Sequence, residues 1–468
     1  MDLYRSANEV AIVGAGMSGL FSALLLADRG YQVTVIEKRP DPRTTNDFDG
    51  KSINFTLSFR GLNALKQVDL DSSAIQRAVE VKERIVHLNN GMLSRQTYGK
   101  IPGTGLYSIS RKEMNIILLE AVNRRSNIQV VFATECIELD KTIPSLKILS
   151  REGTERVLTP EFIIGADGAF SIVRRNLQKG EFADYQQEYF SWVYKEVTLS
   201  KKQIDAISLQ LDGVHVWPRH HSLLLGLPNL NGSLTCNLIV EREGKYSAKM
   251  LNNRNNLSSF LSGTFNEIEP HVGYMTDELL RKPWSGIMTM KTKPWRYQDK
   301  VVLVGDAAHT IVHFYAQGLN ASLEDCVTLV KCLDDHSSDK NIAFDKYESV
   351  RKGNTDLLAD LSKDNFITLS VRAASPYYEA RTLIENKLTL YFPRSWQTFY
   401  GMIAHSSIPY MEAARISKVQ DLFWRISGLP IIQLVLGSWI ILRRFIESTK
   451  LWITRGIRQR VGLTERKT

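Results

Sequence analysis

The sequence is poor in cysteine and in long hydrophobic runs, and each scarcity excludes a class of protein. It has four cysteines in 468 residues, and none of them stands at the spacing of a zinc site, a redox pair or a disulfide framework. We therefore expect reduced core cysteines in a cytosolic protein, and no metal site. The first apolar run is short and ends in glycines, so we expect no signal peptide.

Net positive charge is small outside the C-terminus. The formal net charge is +9, and residues 443–468, with eight basic and two acidic side chains, carry +6 of it. The rest of the chain is nearly balanced and has no basic stripe with interleaved aromatic residues, which argues against a nucleic-acid-binding protein. A hydrophobic content of 43% predicts a globular protein with a sizeable core. Its length indicates two to three domains, or one large domain with subdomains.

The N-terminus contains a complete dinucleotide-binding pattern. A short apolar strand over 9–13 leads into G-x-G-x-x-G, formed by Gly14, Gly16 and Gly19. A helix and a second strand follow, and the strand ends at the acid Glu37. The glycines let the backbone approach a pyrophosphate, and Glu37 can bind ribose hydroxyls. NAD and FAD share this pattern. Arg39 lies either near adenine or phosphate, or in a solvated basic loop.

A second strand tipped by an acid occurs late in the chain. Residues 301–304 are apolar β-formers, Asp306 follows them, and a helix is predicted to begin at Gly318. The free N–H groups of that helix suit the negative charge of a reduced flavin, and Asp306 is placed to bind ribityl hydroxyls. An ordinary strand–loop–helix of an α/β fold is the alternative. The same pattern, an apolar strand followed by an acid, also occurs at Gly165-Ala166-Asp167-Gly168.

Two residues near position 90 could form a clamp for a carboxylate. Arg84 lies in the alternating segment 79–87, which predicts one strand, and Tyr98 follows a break at Gly91-Met92. Antiparallel pairing would bring the guanidinium and the phenol together. Taken alone, both are also ordinary surface-strand residues. Arg111, at the start of a helix capped by Ser110, faces either a cofactor or solvent.

Together these motifs resemble the aromatic-hydroxylase class of FAD-dependent monooxygenases and, within it, the kynurenine 3-monooxygenase family. The resemblance runs from about residue 9 to about residue 415. The glycine fingerprint and the 165–168 and 305–309 motifs are general to the class. The pieces typical of the narrower family are Lys51-Ser52-Ile53-Asn54, Tyr194-Lys195-Glu196 and Trp217-Pro218.

The element pattern and the resemblance predict an α/β fold: a Rossmann-type FAD-binding domain with an inserted antiparallel β-sheet substrate domain and a C-terminal helical region. We assign residues 1–185 and 291–360 to the two parts of the FAD-binding domain, and 186–290 to the substrate domain. Residues 361–420 are predicted to be helices that complete the substrate pocket. Residues 421–468 form a hydrophobic and basic tail.

The resemblance also implies a set of ligands and contacts. FAD is the expected cofactor, NADPH and O2 the co-substrates, and kynurenine or a similar aryl amino acid the substrate. The substrate contacts fall on Arg84, Tyr98, Asn365, Tyr400, Phe314 and His313. The cofactor contacts fall on Gly14, Gly16, Gly19, Glu37, Arg39, Leu57, Arg111, Cys136, Asp306, Gly318, Leu319 and Asn320. The flavin carries the chemistry, so no catalytic side chain is expected.

The segment before Gly318 departs from the family pattern. His313 stands for a proline, Ala316 for a glycine and Leu319 for a methionine. A Cβ at position 316 is expected to exclude left-handed backbone conformations, and His313 adds a titratable ring beside the substrate. These changes leave two alternatives open. One is a hydroxylase of another aryl amino acid or aryl acid, and the other is a membrane-attached flavoprotein that does not hydroxylate.

The tail contains an uncharged run over residues 426–442. Three tryptophans, Trp424, Trp439 and Trp452, flank or end the run, and the basic cluster follows it. This pattern predicts membrane contact through 426–455, with the protein anchored at the cytoplasmic face of a membrane. Because seventeen residues is short for a span, a helix docked on the body of a cytoplasmic protein is the alternative.

Overall fold

The computed structural model describes residues 8–44, 54–98 and 105–464, the side chains of 448–464 excepted. Within these ranges the strands are β1 Glu9–Val13, β2 Gln32–Ile36, β3 Asn54–Leu57, β4 Val79–Glu80, β5 Glu83–His87, β6 Leu93–Thr97, β7 Tyr107–Ser110, β8 Ile128–Val131, β9 Thr134–Asp140, β10 Ser145–Ser150, β11 Glu155–Leu158, β12 Phe162–Gly165, β13 Asp184–Leu199, β14 Gly213–Arg219, β15 Ser222–Pro228, β16 Leu234–Glu241, β17 Ser285–Lys293, β18 Arg296–Tyr297, β19 Val301–Leu303 and β20 His309–Thr310. The α-helices are α1 Met17–Ala27, α2 Phe59–Leu65, α3 Asp71–Gln76, α4 Arg111–Val122, α5 Ile172–Gln178, α6 Lys201–Ala206, α7 Arg254–Thr264, α8 Val272–Arg281, α9 Gly318–Asp335, α10 Lys340–Ser370, α11 Pro376–Tyr391, α12 Phe399–Ala404, α13 Tyr410–Ile426 and α14 Leu429–Thr464. The family piece Lys51-Ser52-Ile53 lies outside the described residues.

A mainly parallel sheet brings the predicted cofactor residues to one edge. Its strand order is β18-β19-β12-β1-β2-β8, and β1 pairs in parallel with β2 and β12. The carboxyl ends of β1, β2, β12 and β19 therefore point the same way, and ligands of such sheets bind beyond those ends. The glycine fingerprint, Glu37, Asp167 and Asp306 follow these four strands in turn. The predicted Rossmann-type fold is confirmed.

A second sheet has eight strands, in the order β20-β17-β13-β16-β15-β14-β5-β6. The prediction assigned residues 83–97 to the nucleotide domain, but β5 and β6 belong to this sheet. The sheet is also not purely antiparallel, because β14 and β5 pair in parallel. Segment 79–87 contains two strands: β4 pairs with β7, and β5 with β14. The polar–apolar alternation of residues 79–82 stops at Glu83-Arg84, where β5 begins with a different partner. The other domain boundaries stay predictions.

The C-terminal helices pack against both sheets. Residues 336–339 separate α9 from α10, and α11 follows α10 after a break at 371–375, so the predicted helical stretch 341–390 is interrupted once. Helix α14 lies along α11, where the ring of Tyr377 sits against Gly437. The four cysteines are free and buried, as predicted.

Candidate active site

One cavity of about 1090 Å³ extends between the two sheets and the C-terminal helices. One end lies at the glycine fingerprint and the other at the hairpin of β5 and β6. All six predicted substrate residues line it, as do nine of the twelve predicted cofactor residues. An elongated volume of this size suits a dinucleotide together with a small substrate.

The glycines at the nucleotide end have distinct roles. Gly14 has φ +103°, and a Cβ there would stand 2.5 Å from the carbonyl oxygen of Ala166. A Cβ at Gly19 would stand 1.9 Å from the Gly14 oxygen, so Gly19 allows helix and strand to pack closely and does not line the cavity. A Cβ at Gly16 would meet nothing within 4 Å. Gly16 therefore leaves an open cradle at the start of α1, where a pyrophosphate fits.

Glu37 is held in place by its neighbours. Its carboxylate accepts hydrogen bonds from the Ala15 N–H at 2.8 Å and from Nε of Arg39 at 2.8 Å. Burial raises the pKa of Glu37, but the Arg39 guanidinium outweighs it and holds that pKa below its usual value. Arg39 thus lies within the site and pairs with the acid. An ionised Glu37 suits ribose hydroxyls.

The flavin-binding end is formed by β19 and α9. The carboxyl group of Asp306 faces the open cavity, while the walls around it raise its pKa by desolvation. Gly318 and Leu319, at the N-terminus of α9, line the same region. Asn115, on α4, also lines it, and its amide oxygen is buried without a hydrogen-bond partner among the described residues. The charged strand tip, the helix N-terminus and this amide fit a flavin dinucleotide.

Leu57 and Asn320 do not face the cavity, although they were predicted as cofactor contacts. Leu57 has no exposed surface and packs in the core of the nucleotide domain. The Asn320 amide donates to the Thr56 and Ala316 carbonyls at 2.9 and 3.0 Å and accepts from the Ser58 N–H at 3.0 Å. It therefore ties α9 to β3. Cys136 and Arg111 do line the cavity.

The expectation for Ala316 was wrong. Its backbone is left-handed, with φ 55° and ψ 30°. This conformation costs a non-glycine residue about 1–2 kcal/mol, and it persists only where the surroundings hold it. Here the Ala316 N–H donates to the His313 carbonyl at 3.0 Å, and the Ala316 carbonyl accepts from Asn320. Ala316 thus adopts a backbone conformation that glycine adopts at little cost.

The substrate end is organised around Arg84. Its side chain is only 7% exposed, and its Nε is buried without a hydrogen-bond partner among the described residues. Burial lowers the pKa of the guanidinium, but the phenols of Tyr98, Tyr378 and Tyr400 raise it above its usual value. The rings of Tyr98 and Tyr400 stack with centroids 5.1 Å apart. In the described part of the chain no carboxylate pairs with this buried cation, so its geometry favours an anionic ligand.

The remaining predicted substrate residues form the wall nearest α9. The Asn365 amide nitrogen donates to the Phe314 carbonyl at 2.7 Å, which joins α10 to residues 313–315. The His313 and Tyr194 rings meet edge to face, with centroids 5.3 Å apart. Phe314 packs against Phe366, at 4.6 Å between centroids. This wall is aromatic and suits a planar ring.

Sequence reasoning missed Tyr315 and Tyr378. Tyr315 lines the cavity and stacks with Tyr400 at 5.6 Å. Tyr378, on α11, lies near Arg84 and Tyr98 and raises the pKa of both groups. Tyr315 lies between two residues that the sequence had singled out, so its position was a usable signal. Tyr378 lies in a helical stretch without a motif, so no signal in the sequence pointed to it.

Comparison with known proteins agrees with this geometry. A family model described as an FAD binding domain matches residues 7–360. Kynurenine 3-monooxygenase of Salinispora tropica is 37% identical over 426 residues, which cover 91% of this chain and 94% of that protein. The enzyme of the same name from Dictyostelium discoideum is 32% identical over 419 residues, 87% of this chain and 90% of that protein.

Solved structures share the fold at lower identity. A 2-methyl-3-hydroxypyridine-5-carboxylic acid oxygenase superposes with a TM-score of 0.66 at 18% identity, covering 81% of this chain and 95% of its own. The p-nitrophenol 4-monooxygenase PnpA of Pseudomonas putida gives 0.62 at 15% identity, covering 88% and 97%. The chain is thus a flavin-dependent aromatic monooxygenase with FAD as cofactor, and it belongs to the kynurenine 3-monooxygenase family.

Proposed function

We propose that this enzyme hydroxylates L-kynurenine to 3-hydroxykynurenine, with NADPH and O2 as co-substrates. The observation that carries the proposal is Arg84, a buried cation without an acidic partner in the described chain, at the end of the cavity farthest from the glycine fingerprint. A guanidinium binds a carboxylate with two parallel hydrogen bonds, and burial strengthens them. The relatives named for kynurenine support this choice of amino acid.

The protein's part in this reaction is orientation and exclusion of water. Arg84 binds the substrate carboxylate, with Tyr98 and Tyr400 beside it, and so fixes one end of the substrate. The aromatic wall of His313 and Phe314 holds the ring toward the N-terminus of α9. The bound flavin supplies the redox chemistry that brings oxygen from O2 to the ring. Fixed orientation and exclusion of water are what accelerate such a transfer.

The test is NADPH oxidation by the purified, FAD-loaded protein, with and without L-kynurenine, while the product mass is followed. We expect kynurenine to stimulate oxidation and to gain one oxygen atom. Stimulation without that product would keep the pocket and favour another aryl amino acid or aryl acid, the alternative that His313 motivates. Absence of stimulation by any aryl amino acid would contradict the proposal and favour a flavoprotein that does not hydroxylate.

We also propose that the C-terminal helices rest on a membrane surface. Within α14, Leu429–Glu447 has a mean hydropathy of 1.6 over 19 residues, which is long and apolar enough to cross a membrane. One side of this helix docks on the protein, because Ile440 is 4% exposed and Arg444 forms an ion pair with Glu379. Its other side is open to solvent, with Val435 66% exposed. The proposal combines the two alternatives of the sequence analysis, membrane contact and docking on the body, because the helix docks on one side and offers an apolar surface on the other.

Two helices that contact α14 carry further exposed apolar side chains. Exposed large side chains at the end of α11 and along α13 are Leu390, Tyr391, Phe392, Val419, Leu422, Phe423 and Ile426. A patch of this kind on a soluble monomer marks an interaction surface. The basic residues from 450 onward, whose side chains lie outside the described part, follow the apolar segment 429–447 in sequence and suit anionic lipid headgroups. A protein lying on the cytoplasmic face of a membrane fits this arrangement.

Vesicle binding tests the membrane proposal. We expect the double variant Val435→Glu/Leu442→Glu to lose at least about tenfold in affinity for vesicles of phosphatidylcholine and phosphatidylserine, because each buried charge costs about 2.5–3.5 kcal/mol at full depth. The measurement is co-sedimentation at fixed ionic strength. Leu230→Glu, a matched change of an exposed leucine in the loop after β15, is the control. Equal binding by both variants would contradict the proposal.

A further inference from the structure

A second buried arginine links the flavin-binding half of the cavity to the substrate clamp. Arg60, on α2, is 3% exposed. Its Nε donates to the Ile403 carbonyl at 2.6 Å, and its Nη2 donates to the Met402 carbonyl at 3.2 Å and to the Ile408 carbonyl. On its other side, Nη1 pairs with Glu324 at 2.8 Å. All of its bonds thus go to α9 and to the chain just after Tyr400.

Two of the three carbonyls that Arg60 binds, those of Met402 and Ile403, belong to a short helix, and the third, that of Ile408, lies just beyond its end. Helix α12 has six residues, Phe399–Ala404, and Tyr400 lies in its first turn. So short a helix is not stable on its own, and the carbonyls at its C-terminal end have no partners within the helix. Arg60 donates to the Ile403 carbonyl and shares the Met402 carbonyl with the Ser406 hydroxyl, and its positive charge stabilises the partial negative charge of the helix end. Its guanidinium also lies 4.2 Å from the Tyr410 ring centroid.

The other end of Arg60 is anchored in a buried ionic network on α9. Glu324 also pairs with Arg351 at 3.2 Å, and Arg351 pairs with Asp325 at 2.7 Å. Asp325 in turn contacts Nε2 of His309 at 2.5 Å and accepts from the Gly305 N–H at 3.2 Å. The strand tip that carries Asp306 is thus joined through α9 to Arg60.

We propose that Arg60 is a positioning residue for Tyr400, which it holds at a fixed distance from the N-terminus of α9. Arg60 does not line the cavity and acts only through the 402–408 carbonyls. The substrate carboxylate is bound beside Tyr400, while its ring must meet the flavin at α9, so this distance sets how well the ring is aligned. The inference rests on the proposed function for its substrate.

Arg60→Lys tests this role, because lysine keeps the charge but cannot bind three carbonyls and Glu324 in one plane. We expect kcat/KM for kynurenine to fall about thirtyfold, since a displacement of about 1 Å remote from the chemistry can cost a hundredfold. FAD content should be unchanged. A double-mutant cycle with Tyr400→Phe should show the two losses to be non-additive. Arg415→Lys, on the exposed side of α13, is the matched control.

Hydrogen exchange of segment 399–408, followed by mass spectrometry without substrate, gives a readout independent of turnover. We expect faster exchange there in Arg60→Lys and not in Arg415→Lys. If Arg60→Lys does not fold, Glu324→Gln takes its place. We expect kcat/KM to fall about fivefold in that variant, because its hydrogen bond with Arg60 loses one of the two charges. Losses that add to those of Tyr400→Phe, or unchanged exchange, overturn the proposal. Absence of kynurenine turnover by the wild type overturns the proposed function, whereas the exchange result still decides this inference.

Discussion

Arg84→Ala is expected to raise KM for L-kynurenine about a hundredfold to a thousandfold. Removing one partner of a buried charged pair costs about 2–5 kcal/mol, and each 1.4 kcal/mol is a factor of ten. The tyrosines that surround Arg84 supply no charge to replace it. FAD binding should be retained, because Arg84 lies at the other end of the cavity from the glycine fingerprint. The measurement is steady-state kinetics, together with the flavin absorbance of the purified variant.

The controls separate a lost ion pair from a damaged hairpin. Arg95→Ala removes an arginine from the neighbouring strand β6, where it is partly exposed and pairs with Glu83. We expect its KM to stay within about twofold of the wild type, since surface ion pairs contribute about 0–1 kcal/mol. Arg84→Lys should recover part of the lost affinity, because it restores a cation without the two-pronged geometry. An unchanged KM in Arg84→Ala would refute the carboxylate clamp.

Gly16→Ala is expected to weaken FAD binding about tenfold to hundredfold while leaving the apoprotein as stable as the wild type. Gly16 has φ −75°, which alanine adopts without strain, and its Cβ would meet no protein atom within 4 Å. The methyl group would enter only the space where the pyrophosphate is expected, and such overpacking costs about 1–3 kcal/mol. FAD titration by fluorescence and apoprotein thermal unfolding measure the two effects.

Two other glycines make this prediction specific. Gly19→Ala would put a Cβ 1.9 Å from the Gly14 oxygen, so it should lower the stability of the apoprotein itself. Gly263→Ala, on α7 with open space around it, should change neither quantity. Equal FAD affinities for Gly16→Ala and the wild type would show that the pyrophosphate does not lie against the start of α1.

The cofactor half of the site was predictable because its residues follow strand ends in sequence. In a parallel sheet, the carboxyl ends of strands meet at one edge, so a glycine pattern after one strand and acids after others must converge. This rule alone brought Glu37 and Asp306 to the same edge, and both line the cavity. The rule does not say which side chains at that edge face inward, and Leu57 and Asn320, which the resemblance suggested, do not line the cavity.

The 311–317 loop shows where local rules are weaker than tertiary contacts. Alanine disfavours left-handed backbone, and the sequence therefore predicted a changed shape at Ala316. Hydrogen bonds to His313 and Asn320 hold the glycine-like conformation in spite of that preference. The energy involved, about 1–2 kcal/mol, is within what two such bonds can supply.

The sequence by itself determined the dinucleotide fold, the cofactor edge and the apolar C-terminal helix, because each depends on spacing within one short segment. Only the tertiary structure decided what surrounds Arg84 and what holds Tyr400. Tyr378 and Arg60 act across hundreds of residues, through contacts that no periodicity encodes. Strand β5 likewise belongs to the eight-stranded sheet and not to the nucleotide domain in which the predicted boundary placed it, because a strand's alternation records which face is buried and not which strand lies beside it.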